Sequence, residues 1–178
     1  MTIHSCNFTT IKEKLKKWLL DTGREILKEV ELDDRWGFVV KHGNFVIQLV
    51  HPKHLRFMLV GFIVQFPPEV IAEIEEFCKD GKKKIELEFG LKSAISSPLT
   101  AYRILYNEKR IIVGFEISKK IFPFHEGFSI KDLDEAIQAV VSVGVLGLSY
   151  LEVVFGAKKI EQEISESIVK PPPDSMYI

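Results

Sequence analysis

Residues 55 to 66 read "LRFMLVGFIVQF", and the fold is decided by how this stretch is read. Its odd positions Leu55, Phe57, Leu59 and Ile63 are apolar, and so are its even positions Met58, Val60, Phe62, Val64 and Phe66. A strand with water on one face alternates apolar with polar residues, so this run predicts a strand covered on both faces over much of its length. Pro67 and Pro68 end it. The forty residues before it share its β character. "EILKEVEL", "RWGFVVK" and "NFVIQLV" are rich in β-branched and aromatic residues, and His42, Gly43 and Asn44 supply a hairpin turn between the last two. Connections this short join antiparallel neighbours, which predicts a meander of strands.

Helical periodicity brackets the meander. Thr9 or Thr10 can cap a helix that carries Ile11, Leu15, Trp18 and Leu19 on one stripe and ends near Asp21 to Gly23. After the strands, Pro68 opens a helix with Val70, Ile71, Ile74 and Phe77 on its apolar side, ending at Gly81. "KKKIELEFGLKSAISS" is ambiguous: Ile85, Leu87, Phe89 and Leu91 alternate as in a strand, whereas the Glu and Lys content favours a helix. Residues 82–96 are read as a helix. A second hairpin follows, turning at Asn107 and Glu108, and then a helix begins at Ser129 or Asp132.

That last helix runs into "VVSVGVLGLSYLEVVFG", residues 140–156, whose single charge is Glu152. The run is shorter than the ~20 apolar residues that a bilayer requires, and Ser142, Ser149 and Glu152 break it, so no membrane partner is expected. Apolar all round, it predicts a buried helix that covers the second face of the sheet, in its own subunit or across a dimer. Leu146, Leu148, Leu151 and Phe155 are then the candidate interface residues, and an aspartate at Leu146 or Leu151 is expected to destroy folding or assembly.

Composition bounds the rest. The 178 residues, 46% apolar and 28% charged with a net charge of -1, suit one core and give no sign of nucleic acid as a partner. A single α+β domain is expected over residues 1–170, followed by a proline-rich tail at 171–178. Cys6 and Cys78 fit no metal or redox spacing, and the N-terminus lacks a secretory pattern, so a cytoplasmic location is expected. Glu and Lys dominate the charges while Asn and Gln are scarce, a bias of proteins from hot environments.

The order of helix, meander, helix, hairpin and helix resembles the type III secretion chaperone-like fold, and specifically uncharacterised archaeal proteins grouped with it. The resemblance covers about residues 10–143 and is carried by "IKEKLKKWL", "RWGFVVK", "NFVIQLV", "TAYRIL", "RIIVGFEI" and "FSIKDLDEAI". It implies an antiparallel sheet packed against helices in a two-layer sandwich, often dimeric, that binds polypeptides. It also favours helix for residues 82–96. Secretion chaperones tend to be acidic and this chain is nearly neutral. No functional residue carries over.

Candidate chemistry is sparse. His51 and His54 flank a turn and could share a metal ion, with His42 nearby in sequence, but no carboxylate or cysteine completes a ligand set. His4 with Cys6 is a second two-ligand pair, and His125 with Glu126 could serve as a base and its orienter. Lys82, Lys83 and Lys84 could touch phosphate, yet Glu86 and Glu88 follow at once, as on a solvated helix face. G-x-S-x-G, Gly-rich phosphate loops and H-E-x-x-H are all absent. No cofactor is expected. The sequence therefore favours a noncatalytic, homodimeric polypeptide-binding module, with a small-ligand or metal-dependent enzyme built on the histidine loops as the alternative.

Overall fold

The computed structural model describes residues 5–156, with side chains described from Thr10 onward. Helix α1 (Ser5–Asp21) leads into strands β1 (Glu25–Glu31), β2 (Arg35–His42), β3 (Phe45–Pro52) and β4 (Met58–Gln65). Helices α2 (Pro68–Phe77) and α3 (Gly81–Ile95) follow, then β5 (Ala101–Tyr106), β6 (Ile112–Ile121) and the long helix α4 (Ile130–Phe155). The strands form one antiparallel sheet in the order β1-β2-β3-β4-β6-β5, so the late hairpin returns to lay β6 beside β4 and leaves β5 at the edge. The sheet is open, with β1 at its other edge.

Local chemistry sets the boundaries. Gly43 takes a φ of 61° in the β2–β3 hairpin, where His42 pairs with Phe45. A side chain there would be strained, which is why the turn holds a glycine. Helix α2 starts at Pro68 as expected but ends at Phe77, with Cys78 as its C-cap. Gly81 does not close α2. It opens α3, whose N-cap Asp80 accepts hydrogen bonds from the backbone N–H groups of Lys82 and Lys83. The helical reading of residues 82–96 holds. Ser129 caps α4 in a capping box with Asp132, whose carboxylate accepts from the Ser129 N–H at 2.7 Å.

All four helices lie on one face of the sheet. The core face carries Phe38, Val40, Ile47, Leu49, Val60, Phe62, Val64, Phe115 and Ile117, all buried and brought side by side by the strand register. Helix α4 crosses β4 and β6 on this face: a Cβ at Gly144 would lie 2.4 Å from the Phe62 ring, and one at Gly147 would lie 2.6 Å from Ile95 and 2.8 Å from Phe115. Helix α1 covers β1 on the same face, burying Leu15 and Leu19 and pairing Lys12 with Glu31 at 2.8 Å and Lys16 with Glu29 at 2.6 Å. Arg24, buried just after α1, is paired with Asp134 of α4 and ties the two helices together.

Two expectations are corrected here. Helix α4 does not cover the second face of its own sheet, and among the described residues no helix lies there. On that face Leu59 and Gly61 of β4 are buried and Ile63 is half-buried, with buried Gln48, Ser118 and Glu116 among their neighbours, so β4 is buried on both faces as expected, but in a mixed face that α4 does not cover. Nor is α4 buried all round. Leu151 is 1% exposed and belongs to the monomer's own core, whereas Leu146 is 57% exposed on the outer side of the helix. Leu148 is half-buried against the core, and Phe155 packs edge to face on Phe77 with ring centroids 5.3 Å apart.

The two glycines of α4 yield an expected outcome. An alanine in place of a helical glycine ordinarily gains ~1 kcal/mol of helix propensity. Here Gly144→Ala should instead destabilise by about 1–3 kcal/mol, because its methyl meets the Phe62 ring. Leu151→Asp should abolish folding and Leu146→Asp should leave it intact, both readable by urea denaturation.

Candidate functional site

The histidines do not converge. His42, at the end of β2, is half-buried with its Nε2 3.4 Å from the Gln138 side chain on α4. His51, on β3, is fully buried among aromatic rings, stacked on Trp36 at 5.1 Å and edge-on to Phe124 at 4.8 Å. Burial pushes its pKa down to about 4, with the charge of His54 adding to the effect. Such an imidazole is a neutral ring of the core. His54, three residues on, is exposed in the turn before β4. His51 and His54 therefore offer no shared ligand geometry, and among the described residues no group of three or more His, Cys, Asp or Glu side chains is placed to hold a metal ion. His4 and the side chain of Cys6 lie outside the described residues, as does the proline-rich tail at 171–178. Cys78 is half-buried, with its thiol pKa raised chiefly by burial.

His125 does line a cavity, of about 410 Å³, between the end of β6, the loop after it and the first turns of α4. Lys119, Lys120, Asp132 and Glu135 line it too. Asp132 is committed to the helix cap, however, accepting from the Ser129 hydroxyl at 2.6 Å and from its N–H, and these bonds hold its carboxyl below the usual range. Glu126 is exposed and does not line the cavity, so the expected pairing of His125 with Glu126 is not part of it. Lys82, Lys83 and Lys84 occupy the first turn of α3, with Lys82 3.9 Å from Glu86, as on a solvated helix face.

What sequence reasoning missed is an outward-facing apolar surface on the helical layer. Ile85 and Phe89 on α3 are 70% and 72% exposed, and Val153 on α4 is 84% exposed, with Leu146 on the same side of α4. Helices α3 and α4 are held side by side: the Tyr150 hydroxyl donates to the Glu86 carbonyl at 3.3 Å, and Gly90 leaves the room that the Tyr150 ring occupies. The signal was present in the alternation of residues 85–91. Leu87 and Leu91 form the buried stripe of α3, and Ile85 and Phe89, also four apart, form a second stripe on the opposite side.

An open antiparallel sheet backed on one face by helices defines an α+β protein. The chain belongs to the DUF2299 family of uncharacterized conserved proteins, whose model matches residues 11–151. No curated protein matches it. The crystal structure of an uncharacterized protein from Methanothermobacter thermautotrophicus shares the fold, with a TM-score of 0.72 and 19% identity over 82% of this chain and 99% of that one. YbjN from E. coli is a more distant likeness, with a TM-score of 0.45 and 9% identity over 81% of this chain and 91% of that one.

The burial of His51 carries a pH dependence. Its pKa lies below the ordinary 6.5 in the folded chain, so folding favours the neutral ring. The stability it contributes is complete above pH 6.5 and is lost as pH falls towards about 4. The drop corresponds to up to roughly 3 kcal/mol. Urea denaturation across this window should show that loss, and His51→Phe should flatten it, whereas an unchanged slope in the variant would place the acid sensitivity elsewhere.

Proposed function

We propose that this protein is a noncatalytic polypeptide-binding module, chaperone-like in action and homodimeric, which holds a partner chain against the outer surface of α3 and α4. The observation that carries this reading is the set of exposed apolar side chains Ile85, Phe89, Leu146 and Val153 on two adjoining helices. Isolated exposed apolar residues are ordinary, but several on one face of a helical layer suit the apolar side of an amphipathic segment. Lys82, Glu86 and Lys92 lie on α3 with Ile85 and Phe89 and supply polar groups on that helix.

The test is binding to an array of amphipathic helical peptides with apolar residues at positions i, i+3, i+4 and i+7. The full chain should bind a subset. Phe89→Ser and Val153→Ser should each weaken binding about tenfold or more, while thermal midpoints stay close to wild type because both residues are exposed. Absence of binding, or binding indifferent to both substitutions, would refute the proposal.

One observation favours the enzyme reading: the cavity beside His125. It is lined by both signs of charge, and a small anionic or zwitterionic ligand would suit Lys119 and Lys120. Stoichiometric metal in the purified protein, or loss of a measurable ligand in His125→Ala, would support that reading instead.

A further inference from the structure

The two edges of the sheet are finished differently. At one edge, β1 reads "EILKEVE", with charges at Glu25, Lys28, Glu29 and Glu31 and an irregularity between Ile26 and Lys28. Charges and bulges of this kind block edge-to-edge pairing. At the other edge, β5 reads "AYRILY", with no lysine, proline or carboxylate, and the irregularity in its pairing, at Leu105 and Tyr106, places the extra residue, Val113, in β6 and not in the edge strand. Its one charge is turned inward: Arg103 donates to Glu116 of the neighbouring strand β6 at 2.6 Å. Among the described residues nothing pairs with the outer side of β5, and Tyr102 and Tyr106 on that strand are 38% and 41% exposed.

We infer that the outer edge of β5 pairs antiparallel with β5 of a second copy of this chain, about a twofold axis at Ile104, to make one continuous sheet through the dimer. This rests on the reading of the protein as an interaction module and names the first partner in it. The choice of a second copy comes from self-complementarity. A twofold axis perpendicular to the sheet keeps both helical layers on one side, and residues directly opposite each other must then share a face. Of the registers that satisfy this, one centred on Arg103 sets Arg103 against the same arginine of the partner, a like-charge pair. The register centred on Ile104 sets Ile104 against Ile104, Tyr102 against Tyr106 on both sides of it, and Arg103 against Leu105. Aromatic and β-branched cross-strand pairs of this kind stabilise a sheet, and no like charges meet. Tyr102, Ile104 and Tyr106 all project on the helix-covered side of the sheet, since Tyr102 pairs with Ile117 and Ile104 with Phe115.

Light scattering across the micromolar range should give twice the 20.4 kDa chain mass. The double variant Y102E/Y106E places glutamates opposite one another and should weaken the dimer at least tenfold. Y102K/Y106E places lysine opposite glutamate and should restore it. A wild-type chain of monomer mass, or a dimer indifferent to Y102E/Y106E, overturns the inference. Should Y102E/Y106E fail to fold, Y102K/Y106E decides: a dimer supports the register and a monomer overturns it. Peptide binding that depends on Phe89 and Val153 but occurs on a monomer would leave the polypeptide-binding reading standing and this inference refuted.

Discussion

The seating of α4 on β4 and β6 is the contact on which the rest of the structure depends. Gly144 brings the helix backbone onto the Phe62 ring, and Gly147 does the same against Phe115 and Ile95. Glycine costs helix propensity at both positions, and close packing on aromatic rings offsets that cost. Because α4 lies this low over the centre of the sheet, α3 can lie beside it, and α1 reaches the far edge through Arg24 and Asp134. The close seating of α4 thus rests on two residues without side chains.

The same seating fixes what faces outward. A helix pressed so closely onto a sheet buries one broad side and leaves the other to solvent, however apolar its sequence. Leu146 and Val153 fall on that outer side, and Ile85 and Phe89 are exposed on the neighbouring helix α3. Several polar groups are used structurally: His51 is a core ring, Asp132 caps α4 and Arg103 is bound to Glu116. The two sheet edges differ as well: β1 carries four charges, and β5 carries only Arg103, which is paired with Glu116.

Strand and helix order was legible because it rests on short-range chemistry: the turn at Gly43, Pro68 at a helix start, and Ser129 with Asp132 in a capping box. Sidedness was not legible. The apolar residues on both faces of β4 match its burial on both, but they do not tell on which face α4 lies, nor that register brings the polar Gln48, Ser118 and Glu116 into the second face. Leu146 and Leu151 look alike in sequence, and only the direction of α4 over the sheet separates an exposed side chain from a core one. The alternation of Ile85 to Leu91 misleads for the same reason, since two helical stripes on opposite sides of an axis mimic the period of a strand.

Amide hydrogen exchange of the full chain, measured at low and high protein concentration, tests the central claim that β5 is the sheet's pairing edge. The account predicts that protection of residues 101–106 rises with concentration while that of residues 25–31 at the charged edge stays constant. Equal, concentration-independent exchange at the two edges would contradict it.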